Sequence, residues 1–341
     1  MILTPTQIDN NIRWLLQNAT PPVRYLTHRY LLRTPPESET IDSLWQEVET
    51  CPEVAEIFGK QEADGSWCCG GSWAQKPSYS PGDGNDPYTP KYATTVWVLP
   101  ILAEMGFSAE MGSTQDARIR KACQFVLEHG YFLDPYFTES AVPAEKTQIS
   151  PCRFSQYLIA LGSVGYEYDP RLDRGYEYLL SRQRADGGWA LQQHYEERHW
   201  TRSCPWSTYH AATALYFKRE KDSQAALTHA LTFLVSNLSV KSSNELCRFF
   251  FHGHSTVREL LMFSETKIGL NEPAIQTILQ WLMTMYQPEE GFFRYGGKAI
   301  NQYSNRSDGM DARVARYRLH HLIESDWLTF HMTRIGMNLL A

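Results

Sequence analysis

Positive charge is scarce in this chain. Lys and Arg total 32 against 38 Asp and Glu, for a formal net charge of −6 and a sequence pI near 6.0. There is no electrostatic case for a nucleic-acid partner. No apolar run approaches the ~20 residues that span a bilayer, which leaves peripheral membrane contact open. The opening MILTPTQIDNN has no basic run followed by an apolar stretch, so no secretory signal is expected there. The seven cysteines are an odd number, scattered apart from Cys68-Cys69. That speaks against a disulfide framework and for a reducing compartment, with the cytoplasm as the expected location. Sustained strand alternation is absent as well.

Helical periodicity is abundant. The 341 residues are 43% hydrophobic and 13% aromatic, enough for a large core. Twelve helices are expected in two alternating series. One series is amphipathic with charged outer faces: roughly 6–17, 39–60, 115–128, 171–183, 223–236 and 273–286. The other is richer in small and apolar residues: 22–32, 92–105, 153–164, 206–217, 255–266 and 327–340. Six outer and six inner helices alternating in space make an α/α toroid, because no hairpin can bury its apolar face alone. A single all-α domain over residues 1–341 with a central cavity is the expected architecture. Two stretches, about 68–90 and 292–325, are too long for simple turns and are expected as loops at the cavity mouth.

One motif recurs. RGYEYLLSRQRADGGW runs from Arg174 to Trp189, and KQEADGSW ends at Trp67. WLMTMYQPEEGFF runs from Trp281 to Phe293 with Phe for Trp and one extra spacer residue, and KACQFVLEHGYF keeps the start but lacks the Gln. Repeats of this kind define the architecture. A helix ends with carbonyls lacking partners, Gly past the end takes the left-handed conformation cheaply, Gln ties loop backbone groups down, and Trp folds back as an apolar cap. These residues hold the fold and are not themselves the chemistry.

The motif resembles the QW repeat of squalene and terpenoid cyclases. PKYATTVWVLPILAEMGF, CRFSQYLIALGSVGYEYDPRLDRGYEYLL, SCPWSTYHAATALYF and WLTFHMTRIGMNLL are similar to successive units of the prenyltransferase and squalene-cyclase repeat superfamily, in particular to its single-domain bacterial members. That resemblance implies an α/α toroid whose central cavity takes an isoprenoid chain.

Inner-helix N-termini would meet at one cavity mouth, where backbone N–H groups favour anions. Cys152, Cys204, His210 and His254 fall near three such ends. They are the candidate metal ligands, and zinc is the cofactor that Cys and His would hold there. By the resemblance, Cys152 takes the thiolate position and His210 the imidazole position of protein prenyltransferases, with Ser150 where that family has Asp. The plain alternative is that the cysteines are small buried hydrophobes. Class II terpenoid cyclases are similar through the motif, but their DxDD acid is absent. The remaining acid candidates are Asp83, Asp86, Asp308, Asp311 and Asp326; turn roles for the loop residues and an N-cap role for Asp326 are the alternatives. Tyr92, Trp97, Phe154, Tyr157, Trp206, Tyr209, Phe251 and Trp327 could line an aromatic pocket that steadies a carbocation, or simply pack the core. Arg24, Lys91 and Arg153 could clamp a diphosphate or stay solvated. His28 and His331 read as core histidines. The expected partner is an isoprenoid or other apolar small molecule. The expected function is a terpenoid-cyclase-like enzyme acting on a polyprenyl diphosphate, the alternatives being a zinc-dependent prenyltransferase or a non-catalytic lipid- or protein-binding toroid.

Overall fold

The computed structural model describes residues 2–67, 94–109, 112–130, 150–190, 203–237, 256–294 and 326–341, with the side chains of 256–259 left aside. Its elements are mostly helical, in agreement with the periodicity. They are α1 (Pro5–Asn18), α2 (Pro21–Leu26, continued by a π-turn Thr27–Leu31), α3 (Glu39–Glu49), α4 (Pro52–Gly59), α5 (Thr95–Glu104), α6 (Asp116–His129), α7 (Pro151–Ser163), α8 (Asp173–Ser181, entered by a 3-10 turn Pro170–Leu172), α9 (Pro205–Phe217), α10 (Lys221–Ser236), α11 (Thr256–Thr266), α12 (Pro273–Met283) and α13 (Asp326–Leu340). A minimal hairpin, β1 (Tyr286–Gln287) with β2 (Phe292–Phe293), follows α12.

Two boundaries correct the sequence reading. The helix expected over 39–60 is two, because Pro52 has no N–H for an interior helix bond and opens α4 instead. Residues 292 and 293, expected to begin a long loop, pair with 286 and 287.

Chain contacts divide into two compact units, Glu56–Ser236 on the one hand and Met1–Ala55 with Asn237–Ala341 on the other. In the first, α7 packs between α5 and α9, with α6 on α5 and α10 on α9. In the second, α13 packs on α11, α1 and β2.

The same loop closes three hairpins. After α4, Gly65 has φ +96, the N–H of Glu62 donates to Ser66 O (2.8 Å), and the indole N–H of Trp67 reaches back to Ile57 O (2.8 Å). After α8, Gly187 has φ +88, the N–H of Arg184 donates to Gly188 O (2.9 Å), and the Trp189 indole donates to Leu179 O (2.7 Å). Gln61 Nε2 donates to Gly65 O (2.9 Å) and Arg118 O (3.0 Å); Gln183 Nε2 donates to Gly187 O (2.9 Å) and Ala226 O (2.8 Å). Each glutamine thus ties its own loop to a later helix, α6 or α10. After α12 the extra spacer residue displaces the glutamine, and Gln287 Nε2 reaches Met285 O instead (3.3 Å). Its task passes to α1, where the Asn11 amide nitrogen donates to Gly291 O (3.0 Å).

A latch completes these three copies. The backbone N–H of Trp67 donates to Thr95 Oγ1 (3.0 Å), that of Trp189 to Thr208 Oγ1 (3.0 Å), and that of Phe293 to Thr329 Oγ1 (2.9 Å). The fourth motif copy differs. Gly130, which ends α6, has φ −99, so the chain there does not make the left-handed turn.

A Cβ on Gly187 would sit 2.6 Å from His229 O in α10, whereas one on Gly112 (φ +77) meets nothing within 4 Å among the described residues. Gly187→Ala is therefore expected to cost about 2–4 kcal/mol, combining backbone strain and overpacking, and Gly112→Ala only about 1 kcal/mol. Thr208→Val, which strands the buried Trp189 N–H, is expected to cost about 1–3 kcal/mol. Urea unfolding of the three variants checks the order.

Candidate active site

The wall made by α5, α7 and α9 gathers most of the chemistry that the described residues hold. Start signals explain its register. Ser150 caps α7 by accepting from the Arg153 N–H (3.2 Å), and Pro151 fills the first helical position. Pro205 does the same for α9. Cys152 therefore lies in the first turn of α7, and its Sγ sits 3.8 Å from His210 Nδ1 on α9. Both residues are buried. The same Nδ1 lies 2.9 Å from Trp206 O, one helical turn back. A carbonyl only accepts, so Nδ1 carries the proton and Nε2 the lone pair.

Aromatic rings enclose the imidazole. Trp206 meets it edge to face at 4.3 Å between centroids, and Tyr209 at 5.4 Å. Trp206 and Thr213 are half-buried, so the stripe of α9 through 206, 210 and 213 is its least covered side. Trp97 on α5 and Gln156 on α7 are buried, and Gln156 Nε2 donates to Val96 O (3.3 Å), joining the two helices.

Other expected site residues are engaged elsewhere. Phe154 packs on Tyr178 of α8 (5.3 Å), and Arg153 Nε donates to Tyr157 Oη (2.8 Å). Arg24 is ion-paired with Glu47 of α3 (2.5 Å). Cys204 is the N-cap of α9 and its backbone N–H donates to Trp189 O (2.8 Å). Asp83, Asp86, Lys91, Tyr92, Phe251, His254, Asp308 and Asp311 lie outside the described residues. Among the described residues no three of His, Cys, Asp and Glu gather as a metal-holding set.

Asp326 opens α13. Its Oδ2 accepts from Thr20 N (2.8 Å) and Thr20 Oγ1 (2.7 Å), and its Oδ1 from Trp327 N (2.7 Å). Those contacts tie α13 to the start of α2, the arrangement of a cap. Burial nonetheless raises its pKa above the ordinary 3.8, against the hydrogen bonds that lower it.

A second repeat lies outside the capping motif. Trp206-Ser207-Thr208-Tyr209-His210 recurs as Trp327-Leu328-Thr329-Phe330-His331. The Trp327–His331 rings sit at 4.2 Å and 63°, against 4.3 Å and 69° for Trp206–His210. In both, the latching Thr precedes the His by two residues, about 200° around the helix. His331 is thus the counterpart of His210, and Trp97, two residues after Thr95, holds the same position in α5.

The chain matches no family model, no curated protein and no solved structure. No helix among the described residues is long and apolar enough to cross a membrane.

A carboxyl whose pKa is raised on folding adds stability below its unfolded value, and that contribution is lost as the pH rises through the folded value. Relative to Asp326→Asn, the wild type should therefore lose stability as the pH climbs from 3.8. The expected loss is about 1.4 kcal/mol for each unit of elevation. Urea unfolding of both proteins across acid to neutral pH measures it. A difference that grows with pH would mean that the hydrogen bonds outweigh burial.

Proposed function

We propose that the chain closes into an α/α toroid whose inner helices hold an isoprenoid, and that it acts on that molecule as a terpenoid-cyclase-like enzyme. The supporting observation is the order in which the loops find their neighbours. The loop after α4 binds the next outer helix α6, and the loop after α8 binds α10. The loop after α12, near the end of the chain, binds α1 at its beginning, and a Cβ on Gly291 would meet Asn10 O at 3.0 Å as one on Gly187 meets His229 O. A succession that returns to its first helix is the connectivity of a ring.

In such a ring the half-buried stripe of α9 would face a lumen. Trp97, Trp206 and Tyr209 would offer π-faces there, and such faces attract carbocations by about 0.5–2 kcal/mol each. Without a DxDD acid, ionisation would proceed by loss of diphosphate rather than by protonation of an alkene. The Cys152–His210 contact favours a second reading, zinc-dependent prenyl transfer. There the thiolate of Cys152 and Nε2 of His210 would hold the ion, with Trp206 O orienting the ring from Nδ1. Zinc would supply a Lewis acid that polarises a substrate atom.

Incubation with farnesyl diphosphate or geranylgeranyl diphosphate is expected to give a cyclic product by mass spectrometry, reduced at least about tenfold in Trp206→Leu, while squalene, which has no diphosphate to lose, should stay unchanged. Failure with both diphosphates, together with tight binding of one, would leave a lipid-binding toroid. Zinc retained at one equivalent per chain and lost in Cys152→Val would select the second reading.

A further inference from the structure

Arg118 and Arg182 both stack on aromatic rings, but only the first also finds acceptors. Arg118 of α6 lies over Phe58 of α4, with its Cζ 4.9 Å from the ring centre. Its Nε donates to Gln61 Oε1 (2.9 Å) and its Nη2 to Phe58 O. Nε and Nη2 form one edge of the planar guanidinium, so two oxygens fill that edge side by side. Arg182, the C-cap of α8, lies over Tyr178 one turn earlier, at 5.5 Å. The same two nitrogens, Nε and Nη2, are buried, and they hydrogen-bond to nothing among the described residues. A buried donor left unpaired is costly, and more so when it is charged.

The capping motif itself supplies a comparison. Lys60 precedes Gln61 as Arg182 precedes Gln183. Lys60 pairs with Glu56, four residues back (2.7 Å). At the same offset Arg182 has Tyr178 and no acid. The ring supports the face of the guanidinium and leaves its edge to an acceptor from elsewhere. Tyr178 in turn packs on Phe154 in the first turn of α7 (5.3 Å), so the end of α8 lies beside the start of α7. That first turn adds partial positive charge on the same side. Two of the cations expected to clamp a diphosphate are engaged within the chain, Arg24 by Glu47 and the Nε of Arg153 by Tyr157.

We propose that the Nε–Nη2 edge of Arg182 is an oxyanion-binding site that takes two oxygens of one phosphate group as a bidentate pair. Two parallel N–H donors match two oxygens on one phosphorus, and Arg118 shows the same edge filled by two oxygens. The stack on Tyr178 holds the fork in place before the anion arrives, which lowers the cost of ordering it. The phosphate is the terminal one of a prenyl diphosphate, an assignment that rests on the isoprenoid reading above.

The test titrates the full chain with inorganic diphosphate at neutral pH and constant ionic strength, and reads the thermal midpoint. Diphosphate should raise the midpoint at concentrations where acetate and chloride do not. Arg182→Lys, which the first motif copy carries as Lys60, keeps the charge and loses the fork, and should weaken diphosphate about tenfold. Arg182→Met, which still covers Tyr178, should abolish the shift and leave the midpoint without diphosphate unchanged or higher. No shift with diphosphate, an equal shift in Arg182→Met, or an equal shift with acetate overturns the proposal. So does a lower midpoint of Arg182→Met without diphosphate, which would mean that the guanidinium already has a partner in the chain. Farnesol and farnesyl diphosphate separate this site from the isoprenoid reading. Equal binding of the two would keep the isoprenoid and remove the anion site. Diphosphate binding that needs Arg182, with farnesyl diphosphate bound no tighter than diphosphate alone, would keep the anion site and remove the isoprenoid.

Discussion

A single backbone hydrogen bond sets the register on which the rest of this architecture depends. The N–H of the last motif residue, Trp67, Trp189 or Phe293, is given to the hydroxyl of Thr95, Thr208 or Thr329. A buried N–H must find an acceptor, and leaving it unpaired costs about 1–3 kcal/mol. Each threonine is thereby fixed against its loop. Because a helix turns 100° per residue, fixing one residue fixes the direction of all the others. The residue two places on lies on the far side from the loop, and there the chain carries Trp97, His210 and His331. The loop clamp in this way orients the residues of the candidate site.

The clamp tolerates substitution because its parts are separable. Trp67 and Trp189 use an indole N–H to tie the loop back to Ile57 and Leu179, while Phe293 has no such donor and keeps only the apolar cap and the latch. An inserted residue moves Gln287 away from its loop, and Asn11 on another helix supplies the missing amide. What persists through all three beside the latch is the left-handed glycine, since the space beside Gly65, Gly187 and Gly291 is filled by the backbone of the neighbouring helix.

Much of the fold could be read from residues in order. Apolar spacing located nearly every helix to within a few residues, and Pro, Ser and Gly marked the ends. The break at Pro52 was legible in principle and was overridden by a strong helical pattern on either side. Cys152 and His210 were legible as candidates through their positions at helix starts. Their contact was not, since 58 residues separate them and spacing says nothing of which helices become neighbours. The recurrence of Trp-x-Thr-aromatic-His was in plain view, but a five-residue match with two variable places gains meaning only when both copies adopt the same ring geometry. Asp326 reads as a helix cap before it reads as an acid, and its oxygens accept from Thr20 and Trp327.

By itself the sequence determined the local physics: where helices start and stop, which turns need glycine, and which side chains must be buried. These follow from propensities and periodicities that act over a few residues. The tertiary structure alone decided which partners the long-range polar groups take. It gave Gly291 to Asn11, set His210 Nδ1 between Trp206 O and the Cys152 sulfur, and turned Arg24 toward Glu47. Those choices depend on helix packing and on satisfying every buried donor at once, a condition on the whole chain that no short stretch of it contains.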